Sequence, residues 1–169
     1  MQEAAKALVG EDRLLTSSTL AQVYVSPRKR AQQTLSILGL PSSVPVTVSD
    51  ALAEWDYGDY EGITTEDIKK SRKSGTWDIW KDGCPGGETP QDVEKRVDGL
   101  ITDIRKIHKK AIDQDENGDV VLVAHGHILR SLTARWLSLP IWAGHHFLLD
   151  AGGVGVLWYD LPLRNLRQL

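Results

Sequence analysis

The chain has 169 residues, a formal net charge of −3 and a pI near 5.9; 41% of it is apolar and 25% charged. That length suits one domain with a sizeable core, and the balanced charge argues against non-specific binding to nucleic acid or anionic membrane. No apolar run reaches the roughly 18 residues of a membrane span, the first residues lack the apolar core of a secretory signal, and the single Cys84 rules out an internal disulfide framework and fits a reducing setting, cytoplasmic or also nuclear.

Residues 2–9 (QEAAKALV) are good helix formers, and Gly10 is a stop. Residues 21–26 read as a short strand through Val23, Tyr24 and Val25. Ser26 then Pro27 is the cap-then-proline order that opens a helix, with Ala31, Leu35 and Leu38 on one face and Gly39 ending it. Val44, Val46 and Val48 alternate as in an edge strand. Residues 49–63 and 74–88 show no periodicity and read as loops; the tryptophans at 77 and 80 favour an ordered one. Between them Thr64 or Thr65 caps a short helix through Lys73.

Thr89-Pro90-Gln91-Asp92 is a strong helix start. Val93, Val97, Leu100, Ile104 and Ile107 continue it as one apolar stripe. The run VVLVA (120–124) predicts a central parallel strand buried on both faces, with His125-Gly126-His127 at its carboxyl end and a helix from Ile128 to Trp136. FLLD (147–150) and VGVLWYD (154–160) flank Ala151-Gly152-Gly153 and predict a hairpin. The expected fold is α/β, with a mostly parallel sheet, flanking helices and one antiparallel C-terminal pair, in a single domain over 1–169.

In such sheets ligands bind beyond the carboxyl ends of the strands. Ser26, Arg28 and Arg30 fall there, as do Glu54 and the pair His125 and His127. Arginines at a helix start form a phosphate clamp, and a nearby carboxylate can protonate a leaving oxygen. Each group also has a plainer reading: a solvated basic run, a surface acid, a structural histidine. Their convergence on one end of the sheet favours the site. A metal centre joining His125 and His127 to His145 and His146 lacks a carboxylate at ligand spacing, so neither metal nor cofactor is expected.

SPRKRAQQT (26–34), LAEWDYGDYEG (52–62), CPGGETPQDVEKRV (84–97), VAHGHILR (123–130) and FLLDAGGVGVL (147–157) resemble, in order, the motifs of the histidine phosphatase superfamily, also called phosphoglycerate mutase-like. The wording is closest to sedoheptulose-1,7-bisphosphatase-like members. The resemblance implies a phosphatase of the phosphohistidine class acting on small sugar phosphates. It implies Arg30 in the phosphate pocket, Glu54 as proton donor and His125 as the second histidine. Arg28 is an added cation for a second phosphate, Gly87 and Glu88 form the loop bordering the pocket, and Glu88 and Gly126 are expected to bind substrate or phosphate. Trp55, Trp77 and Trp80 either line the site or simply pack.

The family's nucleophile sits in an Arg-His-Gly motif, which these 169 residues do not contain; the first histidine is His108. The family predicts roughly 40 further residues upstream, with connections of ordinary length. Two expectations follow for this chain. Turnover is impaired, which leaves open a phosphate-binding pseudoenzyme or regulatory protein. The sheet either keeps a gap, pairs strand 21–26 with strand 120–124, or is completed by another chain as a homo-oligomer.

Overall fold

The structure, a computed structural model, describes residues 7–11 and 13–159. Three strands, β1 (Leu20–Val25), β2 (Val46–Val48) and β3 (Asp119–Val123), form a parallel sheet in the order β2-β1-β3. Val25 pairs with Val48 on one side and Val123 on the other, so all three carboxyl ends finish level. The helices are α1 (Lys29–Leu38), α2 (Thr65–Ser71), α3 (Ile79–Asp82), α4 (Pro90–Gln114) and α5 (Gly126–Trp136). Tight 3-10 turns occupy Asp50–Leu52, Gly58–Tyr60 and Ile141–His146. The α/β class with a parallel sheet is therefore as the sequence implies.

The start of α4 is set by its sequence. Thr89 Oγ1 accepts the Asp92 N–H, and the Asp92 carboxylate accepts the Thr89 N–H. This reciprocal pair satisfies two donors that a helix start leaves free. Val93, Val97, Leu100 and Ile104 bury the stripe, joined by Ile101. They pack with Leu52, Trp55, Trp80, Ile128 and Leu132 in the main core. Trp55 and Trp80 meet edge to face at 5.6 Å and are core residues.

Four expectations need correction. The helix after β1 does not start at Pro27. Its cap is Arg28, because the Ser26 side chain is drawn to His125 instead of a helix amide. The 74–88 loop contains the short helix α3, capped by Asp78. β3 is not a central strand: among the described residues it pairs only with β1, and of its residues Val123 alone is buried, at 8% exposed. Its other edge faces a cleft of about 650 Å³ lined by apolar side chains of β3, α5 and residues 147–157. Both faces of the run are covered, Val121 and Val123 with Ala31 and Leu35 of α1, and Val120 and Leu122 against the main core; the open side is the edge. Finally, the C-terminal hairpin has its turn but no ladder among the described residues. Gly153 N–H bonds the Asp150 carbonyl at 2.8 Å, with Gly152 in the left-handed region, yet the flanking runs are not strands. A two-stranded hairpin off the sheet is marginal, and β3 lies across the cleft. Leu148 and Trp158 are left 95% and 73% exposed.

Of the two arrangements expected within one chain, direct pairing of the 21–26 and 120–124 strands is found. Most of the expected 2–9 helix lies outside the described residues; its last turn at Ala7 and Leu8 is present. No described helix is long and apolar enough to cross a membrane.

Candidate active site

The level ends of β1 and β3 put two buried polar residues side by side. Ser26 follows β1 and is fully buried; His125 follows β3 by two residues and is 8% exposed. Their side chains meet at 2.7 Å, from Ser26 Oγ to His125 Nε2. Arg30, in the first turn of α1, donates its Nε–H to His125 Nδ1 at 3.0 Å. An arginine only donates, so Nδ1 is an acceptor and the neutral imidazole carries its proton on Nε2. Burial holds the His125 pKa below the usual 6.5. The Arg30 and Arg28 guanidiniums act the same way, against the opposing charge of Glu54.

Glu54 is placed by the turn Asp50–Leu52 that precedes it. Its Oε1 accepts the Ile128 N–H at 3.0 Å and the Trp55 N–H at 3.0 Å, and Oε2 accepts the His127 N–H at 3.2 Å. The carboxylate thus docks on the N-terminus of α5, where free amides and the helix dipole favour negative charge. Gly126 opens that helix, and a Cβ there would meet open space. The structure so brings Arg30, His125, Glu54 and Gly126 to one end of the sheet. Arg28 stands exposed at the α1 cap beside them.

Glu88 is placed differently. Arg96 grips both carboxylate oxygens, Nε to Oε1 at 2.7 Å and Nη2 to Oε2 at 2.8 Å, and the Asp56 N–H adds a third bond at 2.9 Å. Arg96 Nη1 also donates to the Ala51 and Ala53 carbonyls. Glu88 and Arg96 therefore fasten the loop that carries Glu54 onto α4. Gly87 and Gly58 allow the two loops to touch backbone to backbone: a Cβ at Gly87 would strike the Asp56 carbonyl and the Gly58 amide.

His127 sits in the first turn of α5 with its ring against Tyr57 and Trp80. Tyr57 Oη meets His127 Nδ1 at 2.8 Å. Burial lowers the His127 pKa and raises that of Tyr57, so both groups are held neutral across this bond. His145 and His146 lie in the turn Ile141–His146, and among the described residues no three His, Cys, Asp or Glu side chains group to hold a metal. Cys84 is buried, which pushes its thiol up to about 11.

Sequence reasoning misses two of these partners, Tyr57 and Arg96. It places Ser26 at the site and also reads it as a helix cap, but a serine before a proline gives no hint of its bond to a histidine 99 residues away. Tyr57 and Arg96 belonged to a loop and a helix whose packing no spacing rule reveals.

The profile of the histidine phosphatase superfamily (branch 1) matches residues 2–166. The chain belongs to the histidine phosphatase superfamily. It is 32% identical to the sedoheptulose 1,7-bisphosphatase of Saccharomyces cerevisiae, over 94% of this chain and 75% of that protein. It is 35% identical to an acid phosphatase of Mycobacterium tuberculosis, over 87% of this chain and 66% of that protein. The solved structure of a mycobacterial glucosyl-3-phosphoglycerate phosphatase with inorganic phosphate superposes with a TM-score of 0.65 at 27% identity, over 88% of this chain and 70% of that one. The chain thus spans between two thirds and three quarters of these relatives.

Proposed function

We propose that this protein is a phosphatase of the phosphohistidine class acting on small sugar phosphates, of the kind its sedoheptulose bisphosphatase relative is named for. The observation that carries the reading is the joining of Arg30 to His125 beside the Glu54-capped start of α5. Arg30 has its two terminal nitrogens for phosphoryl oxygens, since only Nε is held by His125. Guanidinium forks match those oxygens in shape and charge. Arg28 is the cation for a second phosphate of a bisphosphate. Glu54, on the helix start, takes up a proton from solvent and passes it to the leaving oxygen. Phosphoryl transfer depends mainly on such positioning and charge stabilisation. A free cysteine and a small phosphate ester fit work in the cytoplasm.

The 169 residues hold no Arg-His-Gly, so the nucleophile of this reaction would come from further chain. The open edge of β3 supports that reading. A strand added there in parallel would lie about 4.8 Å away and end level with His125, beside the phosphate groups. Without it, turnover by the 169 residues alone falls by factors on the order of 10⁴–10⁶, as for other enzymes stripped of a covalent nucleophile. Phosphate release from sedoheptulose 1,7-bisphosphate, measured on these 169 residues and on a version extended upstream, tests this. The extended version should turn over and trap phosphohistidine; if it does neither, the reading fails.

A second reading, a phosphate-binding protein without catalysis, is favoured by one observation: both ring nitrogens of His125 are already bonded, to Arg30 and Ser26. Measurable turnover by the 169 residues would count against it.

A further inference from the structure

Ser26 has no part in the site as described so far beyond its contact with His125, yet it is fully buried at the point where β1 meets α1. Its oxygen lies 2.7 Å from His125 Nε2 and accepts the Arg28 N–H at 3.2 Å. Three protonation patterns of His125 compete here. With the proton on Nδ1, two donors, Nδ1–H and Arg30 Nε–H, would face each other at 3.0 Å. A doubly protonated ring repeats that clash and adds a positive charge beside Arg30. With the proton on Nε2, both ring nitrogens are matched: Arg30 gives to Nδ1, and Nε2–H gives to Ser26 Oγ. The Ser26 hydroxyl supplies the acceptor that this third pattern requires.

We propose that Ser26 is a positioning residue for phosphate binding: by accepting His125 Nε2–H it leaves Nδ1 free to hold Arg30 Nε–H, and so aims the guanidinium fork at the anion. Ser26 touches no ligand itself. It works through His125, and His125 works through Arg30. The chain of bonds also ties α1 to the end of β3 through a buried serine, so the fork is held from behind before any anion arrives. This rests on the reading of the site as a phosphate site, but the tautomer it requires does not.

The test uses the protein labelled with ¹⁵N in its histidines. The imidazole spectrum of His125 should show the proton on Nε2, with Nδ1 as an unprotonated acceptor, at neutral pH and without phosphate. Ser26→Ala should let the Nδ1–H form appear and should weaken inorganic phosphate binding, read by calorimetry, roughly three- to tenfold, the size of one lost hydrogen bond. A proton on Nδ1 in the unsubstituted protein overturns the proposal, and that reading needs no variant to fold. So does a Ser26→Ala protein that keeps the Nε2–H form, or one that changes tautomer and binds phosphate as tightly as before. If the unsubstituted protein binds no phosphate at all, the phosphate reading fails and the aiming role with it. The tautomer then still reports whether Ser26 governs His125.

Discussion

Arg30 and His125 stand 95 residues apart in the chain and are joined by one bond of 3.0 Å, from Nε to Nδ1. The bond fixes an arginine from the start of one helix against a histidine that caps another. Replacing Arg30 by alanine removes both the fork and the charge. Phosphate affinity should drop roughly ten- to a hundredfold, the range for charge-assisted hydrogen bonds. Arg30→Lys should not restore it, because a lysine cannot bond His125 and grip two oxygens at once. Calorimetry with inorganic phosphate reads both.

Three histidines fix the acid limit of stability. Burial lowers the pKa of His108, His125 and His127 below the usual 6.5. The folded protein therefore refuses protons that the unfolded chain takes up as pH falls through that value. Stability from this source is complete above 6.5 and is lost progressively below it. The urea midpoint should be lower at about pH 5.5 than at about pH 7.5, and His108→Gln should shrink the difference. His108 is the useful probe because it lies away from the site, bonded to Tyr159 at 2.9 Å. A midpoint that does not change across this range contradicts the account.

Arg96→Met should destabilise the fold by roughly 2–4 kcal/mol, at the low side of the figure for a broken buried pair. Arg96 and Glu88 keep 18% and 22% of their side-chain surface in solvent, which softens the loss. The substitution leaves the Glu88 carboxylate and the Ala51 and Ala53 carbonyls without their shared donor. The loop bearing Glu54 should loosen as well, seen as faster amide exchange at Trp55 and Asp56. Arg96→Lys should rescue little, because four donor contacts in one plane need a guanidinium.

Two glycines should answer oppositely to alanine. Gly87→Ala drives a Cβ into the Asp56 carbonyl and the Gly58 amide and should cost about 1–3 kcal/mol, with disturbed packing of the two site loops. Gly126→Ala places its methyl in open space at the start of α5 and should leave stability unchanged or slightly raised. Thermal unfolding of the two variants separates them.

Much of this was legible from local pattern. The Thr89 box, the Gly39 stop and the stripe on α4 are short-range signals, and each forms as its spacing dictates. The convergence of Arg30, Glu54 and His125 followed from the rule that parallel strands finish at one end. What escaped depends on long-range partners. The run at 120–124 looks the same whether its second edge carries another strand or opens onto a cleft. The residues around Gly152 carry a hairpin's turn, but a turn does not supply the sheet edge that its strands need. Glu88 is placed in the loop bordering the pocket by resemblance alone, which says nothing of what its carboxylate binds. Its real partner, Arg96, arrives two turns into the next helix.

The central claim is that phosphate is recognised where β1 and β3 end, between Arg30 and the start of α5. Titrating inorganic phosphate into the ¹⁵N-labelled protein and following individual resonances tests it most directly. The account predicts saturable shifts centred on the Arg30 Nε–H and on the Gly126, His127 and Ile128 amides, abolished by Arg30→Ala. Shifts centred elsewhere, or unchanged by that substitution, would contradict it.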